Sequence, residues 1–195
     1  MFKKVLIGIV AVIVLLILVG FALPRVVHVE RSITVKAPAE QIWSHIADFK
    51  AFNCWSPWFG IDPKTAYTFS GTPGEVGSKM VWKSEHPNVG NGTQEVAAVD
   101  KPKRLDTELD FGAQGKAKAA FSLAADGEAT KVTWSLDSDM GAGPIGRWFG
   151  LMMDGMIGPD YEKGLAKLKL VAEKGPYAAA AKPAALPAGA TPAAK

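Results

Sequence analysis

The sequence predicts an α+β domain: a curved antiparallel sheet wrapped around a long C-terminal helix, preceded by one transmembrane helix. Three observations lead there. An unbroken apolar run without charge occupies Val5 to Leu23. A short helical stretch is followed by a run of about six alternating strand-like segments, separated by Gly- and Pro-containing turns. A long helical stretch then runs from near Ile145 to Lys174. The chain therefore divides into a membrane segment (residues 1–24), one domain (25–174) and a low-complexity tail (175–195).

The apolar run is long enough to span a hydrocarbon core of roughly 30 Å at about 1.5 Å per residue. Two readings compete for it. One is an uncleaved signal anchor; the other is a cleaved secretory signal, for which Gly20-Phe21-Ala22 offers a small-x-small pattern. The length of the run and Pro24 just beyond the possible cut favour the anchor. Lys3 and Lys4 precede the run, but Arg25, Arg31 and Lys36 follow it, so the positive-inside count alone does not orient it. A short basic head favours a cytoplasmic N-terminus. The expectation is a single-pass protein of a bacterial-type inner membrane, with its domain on the outer side.

Composition excludes several classes. Between Arg25 and Lys174 there are 18 Lys/Arg and 19 Asp/Glu, so the +3 of the whole chain resides in its ends. No basic stripe marks the domain for nucleic acid. The single cysteine, Cys54, permits neither an internal disulfide nor a cysteine-based zinc site, and its aromatic surroundings suggest a buried small hydrophobe. From Gly175 the chain is an Ala/Pro string with little to bury, expected to be an extended or disordered spacer.

Within the domain, Val26–Val35 alternates as a half-buried strand, with Val27, Val29, Ile33 and Val35 on one face and Arg31 interrupting it. Pro38 opens a helix that carries Ile42, Trp43 and Ile46, and a second short helix covers Asp48 to Phe52. Phe52-Asn53-Cys54-Trp55-Ser56-Pro57-Trp58-Phe59 reads as a loop bearing large apolar side chains. Strands are expected at 65–69, 78–83, 93–99, 104–111, 116–123 and 131–137. Leu105, Leu109 and Phe111 point inward, as do Ala117, Ala119, Phe121 and Leu123. The outward Asp106, Glu108 and Asp110 lie across a hairpin from Lys116 and Lys118. The final helix should kink or split at Gly158-Pro159.

This order resembles the START-like, helix-grip proteins of the SRPBCC superfamily, including its polyketide cyclase/dehydrase group. The likeness rests on Val29-Glu30-Arg31-Ser32-Ile33-Thr34-Val35-Lys36-Ala37-Pro38 and on Ile42-Trp43-Ser44-His45-Ile46-Ala47-Asp48. Trp55-Ser56-Pro57-Trp58, Gly77-Ser78 before Trp82, and Gly164-Leu165-Ala166-Lys167-Leu168-Lys169 complete it. The superfamily holds lipid carriers, receptors, cyclases and oxygenase domains, so the fold leaves the activity open.

The resemblance implies an apolar cavity between sheet and long helix, the usual form of a small-molecule site. Its candidate lining is Trp55, Trp58, Trp82, Phe111, Phe121, Trp134, Trp148 and Met152, with Met153 and Met156 as an adaptable wall. Each competes with plain core packing, most strongly at the mid-strand Phe121 and Trp134. Arg31, inward by parity, could hold a ligand carboxylate; pairing with an internal acid or a place near the sheet edge is favoured. Catalytic signals are scarce. His28, His45 and His86 share no metal-ligand spacing, and no nucleophile elbow or phosphate loop is present. Asp154 and Arg147 on the long helix are better read as a solvated face. No catalytic residue, metal or cofactor is therefore assigned. The expected function is binding of a hydrophobic small molecule or lipid by a membrane-anchored domain. The alternatives are a cyclase/dehydratase-type enzyme and a packed protein-interaction module.

Overall fold

A computed structural model describes residues 2–177; the tail expected from 175 onward lies outside the described residues beyond Tyr177. The apolar run forms α1 (Phe2–Ala22), long and apolar enough to cross a membrane and almost wholly exposed. The domain then runs β1 (Val26–Val35), α2 (Ala39–Ile46), α3 (Phe49–Asn53), β2 (Ala66–Ser70), β3 (Lys79–Lys83), β4 (Gly92–Asp100), β5 (Arg104–Asp110), β6 (Lys116–Asp126), β7 (Ala129–Asp139) and α4 (Pro144–Ala172).

The seven strands form one antiparallel sheet in the order β1-β7-β6-β5-β4-β3-β2. Every neighbour in sequence from β2 to β7 is a neighbour in space, and β1 closes against β7. Register places one continuous inner face across the sheet. Tyr67 lies opposite Trp82, Gln94 opposite Leu109, Leu105 opposite Phe121, Phe121 opposite Trp134, and Trp134 opposite Arg31. The outer face carries the charged rows expected from the sequence. Lys116 meets Asp110 at 3.0 Å and Lys118 meets Glu108 at 3.7 Å. A register shift between Val96 and Ala98 marks a bulge in β4, a device that bends a strand.

The helices cover the inner face, as an apolar sheet face requires. α2 buries Ile42, Trp43 and Ile46; α3 buries Phe49 and Phe52. Asp48 caps α3 by accepting from the Lys50 backbone N–H. Cys54, expected in the core, is instead exposed just past α3, its Sγ 3.4 Å from the Lys50 carbonyl oxygen. The large rings beside it turn inward and leave the small thiol on the outside.

α4 is one continuous helix through Pro159, so of the kink or split expected at Gly158-Pro159 the split does not occur. Proline removes the bond to the carbonyl four residues back, here that of Gly155. Both Pro159 and Gly155 are exposed, so water can satisfy the freed oxygen, and the buried side of the helix keeps its ladder. That buried side is made narrow by glycine. A Cβ on Gly150 would lie 2.7 Å from Val27 Cγ2, and one on Gly164 would lie 2.8 Å from Trp134 Cζ3 and 3.1 Å from Pro57 Cδ. Gly158 lies directly against the Arg31 guanidinium. The helix can press onto β1 and β7 because these positions lack side chains.

Gly164→Val should therefore destabilise the domain by about 1–3 kcal/mol through overpacking against Trp134 and Pro57. Urea unfolding followed by tryptophan fluorescence would show the lowered midpoint. An exposed control, Ala166→Val, should stay within about 0.5 kcal/mol of the wild type.

Candidate ligand site between sheet and long helix

The space under α4 holds a stack of rings. Trp134 on β7 stacks on Tyr161 of α4 with centroids 3.9 Å apart and planes 8° from parallel. Phe121 on β6 stacks on the same indole at 5.0 Å. Trp55 and Phe52 meet it edge-on at 5.5 and 5.9 Å, and Trp58 at 5.7 Å. Offset and edge-on pairs of this kind add to simple area burial. The Trp55 indole is held in place by donating from Nε1 to the His45 carbonyl oxygen at 2.9 Å. Burial pushes the Tyr161 hydroxyl well above its ordinary range, so it stays protonated. The Trp134 indole N–H is buried without a protein acceptor.

The sequence candidates thus fall into four groups. Trp55, Trp134 and Phe121 are buried in the stack, and Trp58 edges it, half-buried. Trp82 and Phe111 form a second pair, edge-on at 5.9 Å, farther along the inner face and half-buried. The Trp82 ring lies across Gly92, where a side chain would collide with it. Met153 of α4 packs against this core, partly buried, whereas Met156 of the same candidate wall is 50% exposed. Trp148 and Met152 lie elsewhere: they sit on the outer side of α4, Met152 59% exposed, outside the interior to which the sequence reading assigned them. The family resemblance implies a cavity under this helix, but only packing decides which apolar face of the helix turns toward it.

Arg31 forms its own cluster. Its guanidinium donates to both carboxylate oxygens of Asp154 at 2.8 and 3.0 Å and to Glu162 at 2.8 Å. The two acids stand about a turn on either side of Gly158, so one arginine spans two turns of α4 from the edge strand β1. Both acids are largely exposed, so of the alternatives read from the sequence Arg31 takes the place near the sheet edge, paired there with surface carboxylates of α4. All its strong acceptors are protein groups, which leaves the anion-binding role without a free donor fork.

Two polar residues on the inner face escaped the sequence reading. Gln94 Nε2 donates to Thr107 Oγ1 at 3.1 Å, and Thr107 Oγ1 donates to the Ala119 carbonyl oxygen at 3.2 Å. Both residues are buried. Asn53, also buried, contacts Met80 Sδ at 3.5 Å. The available signal was parity: Thr107 sits between Leu105 and Leu109, on the same face. These are neutral donors and acceptors, suited to orienting the polar end of an apolar molecule rather than moving protons. Among the described residues no cluster of His, Cys, Asp and Glu is arranged to hold a metal. A separate cleft of about 160 Å³ lies between α3 and the β2–β3 turn, lined by Asp48, Lys50, Phe69, Gly71 and Lys79, away from the ring stack.

The Arg31 cluster gives a pH prediction. The guanidinium holds the Asp154 carboxyl below its ordinary range. A depressed carboxylate contributes stability above its unfolded value, about 3.9, and that contribution disappears as pH falls through the lower folded value. Arg31→Met should therefore be less stable than the wild type at pH 7, with the gap narrowing below about pH 4. Paired urea titrations at pH 7, 5 and 3 would measure this; a gap independent of pH would assign the loss to packing alone.

Comparison with known proteins agrees with the architecture. No curated protein matches the sequence. Solved structures do match in fold. A Thermobifida fusca protein, solved by NMR, is 20% identical, with a TM-score of 0.58 over 75% of this chain and 93% of its own. A Chromobacterium violaceum protein is 15% identical, with a TM-score of 0.53 over 77% and 99%. The Aha1 dimer of Colwellia psychrerythraea gives 15% and 0.51 over 74% and 97%. At such identities these show the shared helix-grip fold alone. The family described as polyketide cyclase / dehydrase and lipid transport matches residues 26–173, the whole globular domain from β1 to the end of α4. With that match and a seven-stranded sheet gripping a C-terminal helix, the chain belongs to this family.

Proposed function

We propose that the protein is a membrane-anchored domain that holds a hydrophobic small molecule or lipid against the inner face of its sheet, at the outer surface of an inner membrane. The observation that carries this reading is the unequal filling of that face. At the β1–β7–β6 end the Trp134–Tyr161 stack occupies the space. Toward β2 and β3 the rings of Tyr67, Trp82 and Phe111 stay half-buried, with the Gln94–Thr107 pair between the two regions. An apolar surface with a small polar centre is what an amphipathic ligand needs. The family description, which includes lipid transport, supports the same class of ligand. α1 supports a position at a membrane, where such ligands reside.

A second reading, a packed module acting through its surface, is favoured by the ring stack itself. One experiment separates them. Membranes containing the full-length protein are loaded with a photoactivatable fatty acid, irradiated, and the adducts mapped by peptide mass spectrometry. Ligand binding predicts adducts on the peptides carrying Trp82 and Phe111, reduced about tenfold by Trp82→Ala with Phe111→Ala, as expected for the loss of about 1.4 kcal/mol or more of contact. Adducts confined to α1 and the outer side of α4 would reject the cavity and leave the packed module.

A further inference from the structure

The outer face of α4 changes character along its length. At about 100° per residue, Ile145, Phe149, Met152 and Met156 fall within roughly 60° of one another. They are 84%, 48%, 59% and 50% exposed. The same face continues as Asp160, Lys163 and Lys167, with Lys163 paired to Asp160 at 3.1 Å. Three apolar turns are thus followed by charged ones on one continuous helix. A contiguous exposed stripe of such large apolar groups calls for a partner.

What lies beside the stripe identifies that partner. α1 packs on the start of α4: Gly20 lies against Pro144 and the Trp148 indole, where a side chain would clash. Trp148 Nε1 donates to the Leu16 carbonyl oxygen at 3.0 Å. Leu16 stands six positions before the end of α1, so the indole sits about 9 Å below that end. Arg147 donates to the Phe21 and Leu23 carbonyl oxygens and so satisfies the open C-terminal end of α1. An indole about 9 Å down with an arginine above it is the layering of a membrane–water boundary, where interfacial helices bury their apolar face about 5–10 Å.

We propose that the first three turns of α4 lie in the lipid interface beside α1, with Ile145, Phe149, Met152 and Met156 against acyl chains, so that the gripping helix is half interfacial and half aqueous. This inference rests on α1 being a retained membrane anchor. It goes beyond anchoring, because it fixes the orientation of the whole domain: the start of α4 lies in the interface and its charged second half leads away from it, so the domain does not swing on a tether.

The test uses the full chain in liposomes, with Cys54→Ser as background and single cysteines at Leu15, Phe149, Met152, Met156 or Lys167, each labelled with an environment-sensitive fluorophore. Brominated phospholipids serve as quencher. The proposal expects strong quenching at Leu15 and at the three α4 positions 149, 152 and 156, and none at 167. Quenching at Leu15 alone would overturn the interfacial helix while leaving the anchor intact. No quenching anywhere would overturn both. A blue-shifted probe at 149–156 that brominated lipid does not quench would place a second copy of the protein on the stripe, and would also overturn it.

Discussion

The stacking of Trp134 on Tyr161 is the contact on which the fold turns. It joins the last strand to the last helix at ring distance, and four further rings pack against the same indole. Phe121 extends the stack along the sheet, while Phe52 and Trp55 seal it from the α3 side. Approach this close demands bare backbone on the helix. Gly158 and Gly164 supply it, one over Arg31 and one over Trp134. Glycine costs helix stability of roughly 1 kcal/mol relative to alanine. Here that cost is offset by the burial it permits, since each large side chain removed from water contributes about 1.5–3 kcal/mol.

The same contact divides the inner face into two regions. Rings fill one end of the inner face, while toward β2–β5, where α4 makes few contacts, the aromatic faces of Tyr67, Trp82 and Phe111 remain half-buried. The polar pair Gln94–Thr107 marks the boundary between the two regions. Buried neutral amides and hydroxyls cost little when bonded to each other. Arg31 works on the opposite edge. By bridging Asp154 and Glu162 it pins the middle of α4 to β1. These ion pairs are partly exposed, so their value lies in fixing the helix position more than in raw stability.

α4 serves two surfaces at once. Its inner side is a run of glycines, Tyr161 and leucines that completes the core. Its outer side begins apolar beside α1 and ends charged. The first half of α4 is apolar on most sides, broken only by Arg147 and Asp154, so periodicity does not single out one buried face and cannot correct the placement of Trp148 and Met152 in the implied cavity. The structure resolves the ambiguity through the α1 contact, where Trp148 finds its hydrogen-bond acceptor. Cys54 follows the same logic in reverse: four large rings compete for the interior around it, and the smallest side chain is left outside.

By itself the sequence determined the membrane-length helix, the order of strands, the inward and outward alternation of β5, β6 and β7, and the charged rows between Asp110, Glu108, Lys116 and Lys118. These follow from local periodicity, which needs no knowledge of distant partners. For Arg31 it narrowed the choice to a paired guanidinium or a place near the sheet edge, because a charge on an apolar face needs a partner or water. Only the tertiary structure decided that Trp82 pairs with Phe111 and apart from Trp134, that Gln94 meets Thr107, that α4 passes unbroken through Pro159, and that Trp148 faces α1. Each of these depends on which side of an element meets which neighbour. That choice is made by shape and space across contacts far apart in the chain, and residue spacing does not encode it.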